Sequence, residues 1–329
     1  MTAPEQFPPF VFVLGAGRSG TSVLRTVLDG HSRLAVCHEG RFVFPMSRRR
    51  SRYERTEGFD VDAFTADLLA DPGVRGNLGL DPDDLRVALG GAPVADYPDA
   101  VRRVFAHYAS QRGKVRYGDK MPAYVLRIPA LAEMFPEGRF VHIIRDGRDV
   151  ALSAMAIAGQ RHDPVALAID WRRRVEAGRA AGARLGAHRY HEVRYEQLVA
   201  DPAEPIAALC NFLDLDYEPG MLQFFERRDS VPAKVRANPR HARLAEPLSS
   251  GPRSWRTAMA PADLERFEAV AGDLLSQLGY ERGAARPSIT ARAAAAWGRV
   301  RWSVHGGGVR LPGVVRRAMG RPRRPSPRP

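Results

Sequence analysis

Apolar residues run without a break from Phe10 to Leu14, give way to glycines, and recur at Val23, Leu24, Val27 and Leu28. A short continuous run rich in aromatic and β-branched residues predicts a strand buried on both faces, as in a parallel sheet. The second pattern has helical spacing, and Gly30 closes it as a helix C-cap would. The same unit returns at Arg139–Ile144 (RFVHII), followed by the turn RDGRD and the helical stretch VALSAMAIA. Leu126–Phe135 predicts a helix feeding that second strand, Pro164–Leu185 a long Arg-studded helix, and His188–Tyr195 a further strand. Ala203–Leu213 and Asp263–Leu278 complete the pattern as helices, the latter stopped by Gly279. Strands alternating with helices predict an α/β fold, a P-loop-like parallel sheet flanked by helices on both faces.

Between the two strand–turn–helix units, residues 45–118 are polar and punctuated by Pro72, Pro82, Pro93 and Pro98. They predict short helices at 60–71, 83–90 and 98–112, a helical insertion lying over one end of the sheet. From Gly283 onward acids vanish and Ala, Gly, Pro and Arg dominate. Arg292–Val304 predicts a short helix carrying Trp297 and Trp302. The terminal RPRRPSPRP fits neither helix nor strand, because proline removes a backbone donor and fixes φ, and disorder is expected there. The expected division is a main domain over 8–284, with 45–118 as its insertion, and a basic tail over 285–329.

Composition narrows the class. A chain of 329 residues with 44% hydrophobic and 26% charged residues is long enough to bury a sizeable core. It has no run of about 18 apolar residues, and MTAPEQFPPF has neither the basic nor the apolar part of a secretory leader. A cytoplasmic location is the expectation. Cys37 and Cys210 are too few and too far apart for a disulfide framework or a CxxC motif, and read as small buried residues. The nine histidines form no HExxH, so no metal is expected. The formal charge of +13 sits in the tail, where eleven arginines between Arg286 and Arg328 account for all but two of it. That tail offers contact with an anionic membrane or another polyanion, as an accessory to the chemistry of the domain.

The chemistry begins at GAGRSGTS, Gly15 to Ser22. Its Gly-x-x-x-x-Gly spacing between a strand and a helix is that of a phosphate loop: glycines permit the turn, amides point inward, and the helix N-terminus favours an anion. Thr21-Ser22 stands where a nucleoside triphosphatase carries Lys-[Ser/Thr], which argues against a triphosphate–magnesium ligand and against a P-loop kinase-like phosphotransferase, the alternative of the same architecture. Arg18 supplies instead a planar fork suited to a phosphate or sulfonate. In the second unit Arg145 falls at the carboxyl end of a strand, where α/β sheets bind ligands, with Ser153 eight residues on.

With these segments, HEGRFV, GDKMP and YEQLVADP, the chain resembles over residues 8–284 the sulfotransferases that use 3′-phosphoadenosine-5′-phosphosulfate (PAPS), and within them the tyrosylprotein and bacterial small-molecule or carbohydrate branch. The resemblance implies that Arg18, Ser19, Gly20, Thr21 and Ser22 cradle the 5′-phosphosulfate and that Arg145 and Ser153 grip the 3′-phosphate. It further implies that Tyr195 contacts the nucleotide, Glu39 is the general base and Lys120 stabilises the leaving oxygen, with no metal. PLSSGPRSWR, 247–256, keeps only part of the family's C-terminal nucleotide motif, and SVPAKVRANPRHARLAEP before it is expected to be a mobile cap over the acceptor. The insertion is neither strongly basic, as a polysaccharide groove would be, nor rich in aromatic runs. A hydroxyl on a small metabolite, glycolipid or other natural product is the expected acceptor.

Overall fold

The structure, a computed structural model, describes residues 7–157, 163–226, 254–284 and 286–304. Five parallel strands form the central sheet: β1 (Val11–Gly15), β2 (Leu34–His38), β5 (Arg116–Lys120), β6 (Arg139–Ile144) and β7 (Tyr190–Arg194), in the spatial order β2-β5-β1-β6-β7. A two-residue antiparallel pair, β3 (Glu54–Arg55) and β4 (Gly58–Phe59), sits in the insertion.

The uninterrupted apolar run has the predicted cause. Phe10, Phe12 and Leu14 project into one core, with Phe105, Tyr117, Phe135 and Phe140. Val11 and Val13 project into another, with Leu24, Val27, Val141, Ile143 and Ile206. Both faces are therefore dry, and helices cover each of them. A third core joins helices Gly147–Met155, Pro164–Leu185 and Pro261–Gln277 around Trp171 and Phe267.

Several boundaries move. The helix read at 60–71 runs Val61–Leu69, and a further helix not read from the sequence, Pro72–Leu78, starts where Asp71 caps Gly73 and Val74 from its side chain with Pro72 at the first turn. The following helices run Pro82–Gly90 and Tyr97–Ser110. Arg116–Gly118, the end of the span assigned to the insertion, belong to strand β5. The C-terminal helix is longer than predicted, Ile289–Val304. Both cysteines are buried and free. The terminal disorder, the cap at 230–247 and most of the 247–256 segment lie outside the described residues. Among the described residues no helix is long and apolar enough to cross a membrane.

Candidate active site

Strand register lines up the candidate side chains. Gly15 pairs with Ile143, Val13 with Lys120, and His38 with Lys120, so β2, β5, β1 and β6 all end at one edge. Ile144 pairs with Arg194, which brings Tyr195 to that edge as well. The residue that follows or ends each strand then reads, in spatial order, Glu39, Lys120, the 15–22 loop, Arg145 and Tyr195. This is the carboxyl edge of the sheet, where helices begin and ligands bind in open α/β folds.

The loop turns through Arg18 at φ 72° and Gly20 at φ 96°, both in the left-handed region. At Gly20 a Cβ would stand 2.6 Å from the Tyr195 ring, so only glycine lets the loop lie against that tyrosine. Helix Thr21–Leu28 starts immediately after, with no side-chain cap on its first amides. Buried Ser19 Oγ and Arg145 Nε have no hydrogen-bond partner among the described residues. A buried polar atom left without a partner is costly, and these two converge on the same edge as the uncapped helix. An anionic ligand with several oxygens fits them.

Arg145 is well anchored. Its guanidinium lies 4.2 Å over the Tyr195 ring, its Nη1 donates to Arg18 O at 3.4 Å, and its carbonyl accepts from Trp171 Nε1 at 3.1 Å. Ser153 Oγ accepts from Arg18 Nε at 3.1 Å, which ties the helix after β6 to the loop after β1. The two segments read from the sequence as phosphate-binding are thus in direct contact.

Glu39 and Lys120 meet from adjacent strands. Lys120 Nζ donates to Glu39 Oε1 at 2.9 Å, with the lysine side chain 1% exposed and the glutamate 27%. His38 Nε2 stands 3.5 Å from the same Nζ. Burial lowers the pKa of Lys120, and Glu39 opposes that shift. Glu39 and Arg41 both hold positive φ, 61° and 64°. Non-glycine residues accept such backbone only where the surroundings enforce it, and three contacts do so. Glu39 N donates to Lys120 O at 3.0 Å, Asn77 Nδ2 donates to Glu39 O at 2.7 Å, and Gly40 N donates to Asp119 Oδ1 at 2.9 Å. Asp119 is fully buried, and desolvation pushes its pKa up to about 7.

Asn77 and Asp119 escape sequence reading because they act on backbone, and no spacing rule marks such residues. Arg148 escapes it too. It is buried, paired with Asp146 and Glu268 at 2.7 Å each and stacked 3.6 Å over Trp255, whose amide donates to Asp149 Oδ1 at 2.7 Å. This network fastens the helix after β6 to the C-terminal helices. Among the described residues no group of three or more His, Cys, Asp or Glu could hold a metal ion.

Comparison with known proteins agrees with this geometry. A model of the sulfotransferase family matches residues 9–219. A putative protein-tyrosine sulfotransferase of Caenorhabditis briggsae is 24% identical over 302 residues, covering 87% of this chain and 94% of that protein. The omega-hydroxy-beta-dihydromenaquinone-9 sulfotransferase Stf3 of Mycobacterium bovis is 30% identical over 115 residues, 30% of this chain and 29% of that one. The sulfotransferase domain from the Synechococcus PCC 7002 olefin synthase shares the fold, with a TM-score of 0.55 and 20% identity, covering 85% of this chain and 98% of that domain. With more than half of its length matched by the family model, the chain belongs to the sulfotransferase family, enzymes that transfer sulfuryl groups.

Proposed function

We propose that the chain transfers the sulfuryl group of PAPS to a hydroxyl of a small metabolite, glycolipid or other natural product. One observation carries the reading: Glu39, Lys120, the 15–22 loop, Arg145 and Tyr195 stand along one sheet edge in the order this reaction needs them. A base for the hydroxyl comes first, then a cation for the bridging oxygen. A cradle for the 5′-phosphosulfate follows, then an arginine for the 3′-phosphate and an aromatic ring for the nucleotide.

PAPS supplies an activated sulfuryl group on a 5′-phosphate. Arg18, Ser19, Gly20, Thr21 and Ser22 hold that end through the loop amides and the Arg18 fork, while Arg145 and Ser153 hold the 3′-phosphate. Glu39 accepts the proton of the acceptor hydroxyl as its oxygen bonds to sulfur. Lys120 donates to the phosphate oxygen that keeps the electron pair of the broken S–O bond. Its present partner is Glu39, so the ammonium changes partners as charge moves, the kind of interaction that stabilises a transition state more than a ground state.

The acceptor class is supported by the insertion. Its arginines are spent locally, Arg49 and Arg52 on Asp67, Arg50 on Glu54 and Arg55 on Asp60. These pairs offset part of the positive charge that a polysaccharide would use. The mycobacterial relative's name specifies an omega-hydroxylated dihydromenaquinone as acceptor, a hydroxyl compound within the proposed class.

Calorimetric titration with 3′-phosphoadenosine-5′-phosphate (PAP), with ATP–Mg²⁺ in comparison and Arg145→Ala alongside, tests the donor. Tight metal-independent PAP binding, weakened at least about tenfold in the variant, is expected, and transfer of labelled sulfate to a panel of hydroxyl compounds then identifies the acceptor. Preference for ATP–Mg²⁺ would sink the reading.

A further inference from the structure

The C-terminal helix Ile289–Val304 has two apolar faces, and among the described residues only one is covered. On the inner face Ala291 and Ala295 are buried, and at Gly298 a Cβ would stand 2.2 Å from Val165 Cγ1, so the helix backbone is pressed against helix Pro164–Leu185. On the outer face Ile289, Ala293, Ala296, Trp297 and Val300 recur at i, i+4, i+7, i+8 and i+11, a single helical stripe. Ile289 is 76% exposed, Trp297 63% and Val300 54%. Arg292 and Arg299 border this stripe on one side and Arg301 on the other. On the Arg299 side an open groove is lined by Arg172, Arg173, Glu176 and Trp302; Arg172 pairs there with Glu176 and Asp273, which makes Arg173 the further cation.

We propose that this outer face docks on an anionic lipid bilayer. A surface helix ordinarily exposes polar residues opposite its packing face. An apolar stripe with a tryptophan, bordered by arginines, is instead the pattern of a helix lying in the membrane interface: apolar side chains enter the acyl boundary and guanidinium groups stay at the phosphates. Charge points the same way. No acid follows Glu281, and the sequence after Val304 adds seven more arginines, a polybasic segment following the helix in the chain, of the kind that binds anionic leaflets. Nucleic acid fits less well, because its interface would put the arginines at the centre of the face and this one puts them at the edges. A second copy of the chain fits less well again, because pairing two such faces would bring like charges together. The helix that the inner face packs on also carries Trp171, whose Nε1 donates to the Arg145 carbonyl. Membrane docking stands apart from the proposed sulfuryl transfer and can fail or hold on its own.

The test is co-sedimentation of the full chain with vesicles of phosphatidylcholine alone and of an equimolar phosphatidylcholine–phosphatidylglycerol mixture. Binding to the mixture is expected at least about tenfold tighter than to neutral vesicles, falling steeply with salt. Tryptophan emission should shift to the blue, and since Trp171 and Trp255 are already buried, Trp297 is the residue with most to report. A triple variant, Ile289→Ser, Trp297→Ser and Val300→Ser, keeps every arginine and should lose about tenfold or more in binding at an unchanged melting temperature. Wild-type protein that stays with the supernatant overturns the proposal. So does a triple variant that binds as wild type, which would give the contact to tail charge alone. An early-melting variant overturns it too, since the stripe would then be core. Duplex DNA binding that the triple variant loses would assign the face to nucleic acid, against the proposal.

Discussion

Lys120 is an ammonium held almost out of reach of water, and Glu39 is the carboxylate that keeps it charged there. Truncating either leaves the other without its partner and mixes a folding cost with a catalytic one, so substitutions that preserve shape are more informative. In Glu39→Gln the amide oxygen still accepts from Lys120 while the proton acceptor is gone. We expect kcat to fall about 10²–10⁴-fold, the usual loss for a missing general base, with PAP affinity by calorimetry within about twofold of wild type. Retention of a tenth or more of the turnover would take the base role from Glu39 and pass it to His38, 3.5 Å from Lys120 Nζ. Lys120→Met keeps the chain length and removes the proposed donor to the leaving oxygen. Single-turnover rates with labelled PAPS should drop about 10²–10³-fold, as for other lost transition-state donors. Equal rates in the variant would remove Lys120 from the bridging oxygen.

At the scale of elements, the Glu39–Gly40–Arg41 turn is held from three directions: by strand β5 through the Lys120 carbonyl, by Asp119 on the same strand, and by the insertion through Asn77. The insertion therefore helps position the proposed base, Glu39, besides covering the sheet. Asn77→Ala should lower kcat about tenfold or less with the KM for PAPS unchanged, and stability by about 1 kcal/mol for one lost hydrogen bond, read from turnover and chemical denaturation. A variant that loses stability but not turnover would make Asn77 merely structural. This turn also marks how far sequence alone could reach. β1 and β6 were legible because each is an apolar run buried on both faces, and the loops after them carry glycine and arginine at motif spacing. β2 and β5 were not read as strands. RYGDK has one apolar residue yet is buried throughout, and the partners that accept or donate to its polar groups are distant in sequence, Gly40 N for Asp119 Oδ1 and Glu39 for Lys120, so no local pattern marks it. The helices capped by Asp60, Asp81 and Asp96 start within one residue of the starts read from the sequence, whereas the short helix capped by Asp71 was not read at all.

For the molecule as a whole, two buried groups pull its acid–base stability in opposite directions. His142 lies inside the sheet, 2.6 Å from the Tyr190 hydroxyl through Nδ1, and burial lowers its pKa to about 3, helped by Arg179 and Arg194. The unfolded chain binds that proton near pH 6.5, so the neutral histidine's contribution is whole above that pH and is lost progressively as pH falls toward 3. Asp119 does the reverse. Its pKa of about 7 lies far above the ordinary 3.8, so the unfolded state ionises first, and stability is lost as pH rises from about 4 to about 7. Between pH 4 and pH 6.5 the two slopes offset each other, and each single substitution should unmask the other. Relative to wild type, Asp119→Asn should gain a stability that rises with pH through this window, and His142→Gln one that falls. Each slope is bounded by about 1.4 kcal/mol per pH unit, the value for one proton. Urea denaturation of the three proteins at pH 4.5, 5.5 and 6.5 measures this directly. Because every other titrating group is common to them, parallel curves would mean that neither Asp119 nor His142 changes its proton on unfolding in this range.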